Sequence, residues 1–187
     1  LNNLLRKIGT LTKPLIDYHR FSILLADEKT QTLNAVISLK EDERIPDHCS
    51  VASGQGIVGA ASSLRITVVV PDVSKDPRYI NSNAETRSEM VVPLIYRDRV
   101  IGVIDLESPH LNSFSEDHAR LLSTLAPQIA VAIENARLYD EVVRSEARLE
   151  RDLSRARDIQ LHIMPALCPT IPGLEICARF LPARELG

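Results

Sequence analysis

The chain has 187 residues, 44% hydrophobic and 25% charged, with a formal net charge of −3. These proportions are ordinary for a globular protein, and a chain of this length builds a core without disulfides or metals. The charge gives no hint of nucleic acid or an anionic membrane as partner. The longest apolar runs, 66–71 and 90–96, fall far short of the roughly 20 residues that cross a bilayer.

Three scattered cysteines, Cys49, Cys168 and Cys177, form no C-x-x-C pair. That usage fits a reducing compartment, so a cytoplasmic location is expected, with the cysteines as small packing residues. No basic start followed by an apolar stretch and a small-residue cleavage site is present.

Taken in chain order, Leu1, Leu4, Leu5, Ile8, Leu11 and Leu15 recur at three- and four-residue spacing and predict a helix within 1–17. Gly9 and Pro14 make it short or bent. Arg20–Ala26 and Thr32–Leu39 read as strands joined by a turn-length link, an antiparallel hairpin. Residues 40–53 are polar, contain Pro46 and read as loop. Ile66–Val70 is a third strand, and 71–88 carries the Asp, Ser, Asn and Pro of turns. Glu89–Tyr96 and Arg99–Leu106 form a second hairpin across Arg97 and Asp98, with Pro93 expected at an edge or an irregularity.

From Ser115 the pattern becomes helical. Ser115 is a suitable N-cap, Glu116 and Asp117 suit the positive end of the helix dipole, and Leu121 to Ala136 keep helical spacing. Pro127 predicts a kink, or a break and restart. Residues 140–158 are rich in acids and arginines, with Val142, Leu149, Ala156 and Ile163 repeating every seventh position. So thin a stripe is expected to pair with the same helix of a second chain, making a homodimer through 140–163. The alternative is a solvated helix leaning on its own domain.

Gly54-Gln55-Gly56-Ile57-Val58-Gly59 matches G-x-G-x-x-G. A dinucleotide site needs a strand before it, a crossover helix after it and an acid at the end of the next strand. Here a polar loop precedes the glycines, too few residues follow for the crossover, and Asp72 comes too soon. The motif therefore reads as a tight turn into a short helix, with Gly59 letting that helix lie close on the sheet.

The run SGQGIVGAASSLRITVVVPDVSKDPRYI, followed by ETRSEMVVPLIYRDRVIGVIDLESPHLNSFSEDHARLLSTLAPQIAVAIENARLY, resembles a GAF domain across about residues 4–139. The resemblance implies an α+β fold for 1–139: an antiparallel sheet of five or six strands, terminal helices on one face, and a ligand pocket under loops and short helices on the other, followed by a long linker helix. It implies an unknown small-molecule ligand beneath a lid at 71–90. The candidate pocket residues are Asp72, Asp76, Arg78, Tyr79, Glu89 and Met90. Methionine-sulfoxide-reducing members need several cysteines, and only Cys49 stands in this region. The cyclic-nucleotide signature is broken at Glu107-Ser108 and at Phe114 with Asp117-His118, and Cys49 is a poor bilin attachment point. His48, His110 and His118 lack metal-ligand spacing, so no metal is expected in this region.

The tail, ARDIQLHIMPALCPTIPGLEICARFLPARELG, resembles the entry into SpoIIE-like serine phosphatases of the PPM type. The match runs through Ala156, Arg157, Ile159, Gln160, Pro165, Pro172, Gly173, Glu175, Pro182, Ala183 and Gly187, with His162, Ile163 and Met164 departing from the usual leucines. It implies that 164–187 is the truncated start of such a domain, stopping before its first metal-binding aspartate. No catalytic residue, cofactor or metal is then expected in this chain. The complete domain would use Mn or Mg to dephosphorylate a phosphoprotein of the anti-anti-sigma type. The alternatives are a GAF front end for another signalling enzyme, such as a histidine kinase or a diguanylate cyclase, and a stand-alone ligand-binding or dimerisation module.

Overall fold

The computed structural model describes residues 1–40, 43–45, 49–80, 83–163 and 172–173, without the side chains of 160–163. Two compact units divide the chain, Leu1–Arg137 and Leu138–Gly187. The element order is α1 (Asn2–Thr12), β1 (Arg20–Asp27), β2 (Thr32–Lys40), β3 (Glu43–Arg44), β4 (Ser50–Ala52), α2 (Gly56–Leu64), β5 (Val68–Val70), β6 (Ser88–Tyr96), β7 (Arg99–Ser108) and α3 (Glu116–Ile163), with a 3-10 turn at Val73–Lys75. Among the described residues the sheet has seven strands in the order β3-β2-β1-β7-β6-β5, with β4 also on β2. Every pairing is antiparallel. This is the expected α+β arrangement, with seven strands where five or six were foreseen, because the stretch read as loop at 40–53 contributes β3 and β4. Short strands such as these cover the open hydrogen-bonding edge of the much longer β2.

Strand alternation splits the core in two. On one face Phe21, Ile23, Leu39, Met90, Val92, Leu94, Ile104 and Leu106 pack with Leu5 of α1 and with Leu122, Ala126, Ala130 and Ile133 of α3. On the other, Leu24, Leu33, Val68, Val70, Val91 and Val103 pack with Ile57 and Ala61 of α2. Each fully buried large apolar side chain contributes about 1.5–3 kcal/mol.

The hairpin β6–β7 turns on Arg97 (φ 45°) and Asp98 (φ 61°), both left-handed, as a two-residue connection between twisted strands requires. Pro93 lies opposite Val103 of β7, past the point where β5 has ended, so its missing N–H interrupts no pairing with β5. α1 stops at Thr12, two residues before Pro14. Gly9 sits within it because α1 presses on the sheet: a Cβ there would stand 2.5 Å from Leu39 Cδ1 and 3.0 Å from Phe21 Cδ1.

The G-x-G-x-x-G segment is the tight entry into α2. Gly54 and Gly56 hold φ of 81° and 71°. At Gly59 a Cβ would meet the carbonyl oxygen of Ala52 at 2.7 Å and the Gly54 backbone at 3.0 Å, so this helix rests directly on main chain.

Ser115 caps α3: its Oγ accepts from His118 N at 3.2 Å, while Ser115 N donates to His118 Nδ1 at 3.4 Å. This reciprocal pair puts histidine where a capping box usually has glutamate. α3 runs unbroken through Pro127, so the expected break and restart is absent. The buried residues on both sides of the proline, Leu122, Ala126, Ala130 and Ile133, tie the helix to the sheet core and outweigh the lost hydrogen bond. In the second unit Val142 and Leu149 are exposed, and Asp152 pairs with Arg148 and Arg155 at 3.8 and 4.0 Å. Among the described residues no helix is long and apolar enough to cross a membrane. The tail segments 164–171 and 174–187, which hold Pro165, Glu175, Pro182, Ala183 and Gly187 of the phosphatase resemblance, lie outside the described residues.

Candidate functional site

Between the second face of the sheet and the start of α2 lies a cavity of about 370 Å³. Its floor is Arg20, Ser22 and Leu24 of β1, Glu89 of β6, and Asp105 and Glu107 of β7. Its walls are Cys49, Ser50 and Val51, the turn and first residues of α2 (55–58), and Tyr79 with Ile80.

Strand register builds the polar floor. Glu107 stands opposite Glu89 on one side and opposite Arg20 on the other, so three charged side chains form a row across three strands. The next row is Val91, Asp105 and Ser22, and Ser22 Oγ shares a hydrogen bond of 2.9 Å with Ser38 Oγ. Like charges placed directly opposite repel.

Glu107 is well compensated. Asn83 Nδ2 donates to its Oε2 at 3.1 Å, Thr86 Oγ1 donates to the same oxygen, and Arg20 Nε stands 3.8 Å from Oε1. Glu89 is the opposite case. It is 5% exposed, and its carboxyl has no hydrogen-bond or ion-pair partner among the described residues. Burial above all, then the charges of Glu107 and Asp76, push the Glu89 carboxyl up to about 8, with Arg78 opposing.

The sequence candidates divide accordingly. Glu89 and Tyr79 line the cavity, and burial raises the Tyr79 phenol, whose hydroxyl donates to the Asn83 carbonyl at 3.1 Å. Asp76 and Arg78 are not lining residues. They form a closed pair, with Arg78 Nε and Nη2 donating to the two Asp76 oxygens at 2.9 and 2.6 Å, and those bonds hold Asp76 below its ordinary value. Asp72 serves the turn instead. It accepts from Ser74 Oγ at 2.6 Å and pairs with Lys75 at 3.1 Å, and the Ser74 hydroxyl lowers its pKa. Met90 points to the opposite face, into the core with Leu5 and Leu122, because its neighbour Glu89 faces the cavity.

Sequence reasoning missed Arg20, Ser22, Asp105 and Glu107. The available signal was two acids spaced by two in the otherwise apolar run VIDLES, which puts both on one face. No three His, Cys, Asp or Glu side chains among the described residues converge as a metal centre does.

An antiparallel sheet with α1 and α3 packed on one face and a cavity on the other makes up this α+β domain. A profile of the GAF domain family matches residues 1–134, and the chain belongs to that family. It is 37% identical over 75 residues to GAF domain-containing protein A of Dictyostelium discoideum, covering 40% of this chain and 48% of that protein. It is 40% identical over 77 residues to the free methionine-R-sulfoxide reductase of Saccharomyces cerevisiae, covering 41% of this chain and 43% of that one. The chain thus spans less than half the length of either curated relative. Among solved structures, the free methionine-R-sulfoxide reductase of Neisseria meningitidis, in complex with its substrate, superposes with a TM-score of 0.65 at 31% identity, covering 72% of this chain and 78% of that one.

Proposed function

We propose that this GAF domain is the ligand-binding part of a regulatory protein, and that its pocket takes a small amine-bearing metabolite of the amino-acid class. The observation that carries the reading is Glu89, a buried carboxyl facing the cavity without a partner, beside Asp105 and Glu107. An ammonium group answers that surplus of acid, and Arg20 at the same floor suits a ligand carboxylate. A cavity of about 370 Å³ fits a compact metabolite. The names of the yeast and Neisseria relatives point the same way, since free methionine sulfoxide is an amino acid.

The role proposed is binding without turnover. Reducing a sulfoxide oxidises a thiol, which a second thiol must then resolve, and Cys49 is the single cysteine before residue 168. Thermal shift with L-methionine-R-sulfoxide, L-methionine and N-acetyl-L-methionine tests both parts. The free amino acids are expected to raise the melting temperature and the N-acetylated compound to leave it unchanged. Silence from all three removes the amine reading, and methionine formed from the sulfoxide in the presence of a dithiol removes the non-enzymatic one.

For the output, we propose that 140–163 pairs with the same helix of a second copy and passes the ligand's effect onward by favouring one of two arrangements of that pair. Exposed Val142 and Leu149, seven residues apart, support it. Light scattering at tens of micromolar is expected to give twice the mass of one chain, and a single-chain mass removes the pairing. The phosphatase-like motif at 156–187 supports a SpoIIE-like serine phosphatase as the receiver. Such a domain would hold Mn or Mg, act on a cytoplasmic phosphoprotein, and carry Gly-Asp directly after Gly187. Any other continuation of the gene favours a different signalling enzyme or a stand-alone module.

A further inference from the structure

Resting on the reading of the pocket as an amine site, we propose that Glu89 decides which ligand charge the pocket accepts, by exchanging a proton for the ligand's ammonium group. The three acids of the floor are not equivalent. Glu107 is committed to Asn83, Thr86 and Arg20. Asp105 lies one row away, opposite Ser22 and Val91. Glu89 alone of the three is both fully buried against Glu107 and left without a hydrogen bond among the described residues.

The groups that face Glu89 come from every element around it. Arg20 comes from β1, Asp105 and Glu107 from β7, Asp76, Arg78 and Tyr79 from the segment after the 3-10 turn, and Cys49 from beside β4. The start of α2 (55–58) and Val70 of β5, which pairs with Glu89, bring no charge. Arg78 is neutralised by Asp76 through two hydrogen bonds. Among the described lining residues Arg20 is the one cation, set against the formal charges of Glu107, Asp105 and an ionised Glu89, a surplus of acid.

An empty pocket settles this surplus most simply by protonating Glu89, in keeping with its raised pKa of about 8. When a ligand ammonium enters, the O–H bond of Glu89 breaks and its proton passes to solvent. N–H donors of the ammonium then bond the carboxylate. The ammonium takes over the positive charge that the proton supplied beside Glu89, while the ligand's own carboxylate is met by Arg20, and an analogue without an ammonium has no cation to exchange for the proton.

Two measurements test this. In the ligand-free protein, carbon-13 NMR of the Glu89 carboxyl is expected to show a midpoint between pH 7 and pH 9. A midpoint below pH 5.5 overturns the proposal whatever binds. Calorimetry with L-methionine-R-sulfoxide as probe, in phosphate and in Tris at pH 7, is expected to show close to one proton released per ligand. One-proton linkage makes binding about fifty-fold weaker at pH 6 than at pH 8. In Glu89→Gln, both the proton release and this pH dependence are expected to vanish. Binding without proton release overturns the exchange and leaves the amine reading standing. No binding by the sulfoxide or by L-methionine overturns the amine reading and this proposal together.

Discussion

Glu89→Gln is expected to stabilise the domain by several kcal/mol at pH 9 and to leave it nearly unchanged at pH 4. Burial withholds water from the Glu89 carboxylate, Glu107 stands directly opposite it, and its pKa rises from 4.5 to about 8. A carboxyl whose pKa is higher folded than unfolded contributes fully below the unfolded value, and that contribution is lost as the pH climbs through the folded one. The window is therefore pH 4.5 to about 8. Each tenfold in proton affinity is worth about 1.4 kcal/mol, so the loss approaches about 5 kcal/mol as an upper figure. Glutamine keeps the shape, donates a hydrogen bond as the protonated acid does, and never ionises. Urea midpoints of the two proteins at pH 4, 7 and 9 should diverge steadily as the pH rises. Parallel curves would mean that water reaches this carboxyl in the folded protein.

Phe21→Ala is expected to destabilise the domain by about 3–5 kcal/mol, the range for a buried aromatic truncated in a tight core. Phe21 is 0% exposed and lies where α1 comes closest to the sheet. Its ring stands 5.4 Å from that of Tyr18 at a tilt of 40°, and the Tyr18 hydroxyl donates to the Gly9 carbonyl at 2.9 Å. The cavity left behind cannot close easily. One wall is β-sheet backbone, and the other is a helix already held by that hydrogen bond. The melting temperature should fall on the order of 10 °C, and Phe21→Leu should restore most of it. A fall of less than about 2 °C would show that α1 collapses into the gap and that its packing is loose.

The hairpins were legible because strand-like apolar runs are joined by links of turn length. β6–β7 turning at Arg97 and Asp98 is the plain case. Ser115 announced the start of α3, and the misplaced surroundings of Gly54–Gly59 ruled out a nucleotide loop. β3 and β4 were illegible because two- and three-residue strands carry no period of their own and exist by pairing with β2. The unbroken course of α3 was equally hidden, since the buried contacts that overrule Pro127 come from strands far away in sequence.

For the pocket, Glu89 and Tyr79 were found through the turn-rich segment beside them. Met90 shows the weakness of reasoning by proximity, because one residue along a strand reverses the face. Arg20, Asp105 and Glu107 come together only through the register of three strands, information that belongs to pairing rather than to any local stretch.

That shared register ties the pocket to the fidelity of folding. If β7 slipped by one residue against β1 and β6, Asp105 and Glu107 would turn into the oily layer of Leu5, Phe21 and Leu122. Two carboxylates forced among hydrocarbon would make that misaligned sheet far less stable than the correct one. The acids that await a ligand also act as a lock, rejecting the neighbouring alignment each time the chain folds.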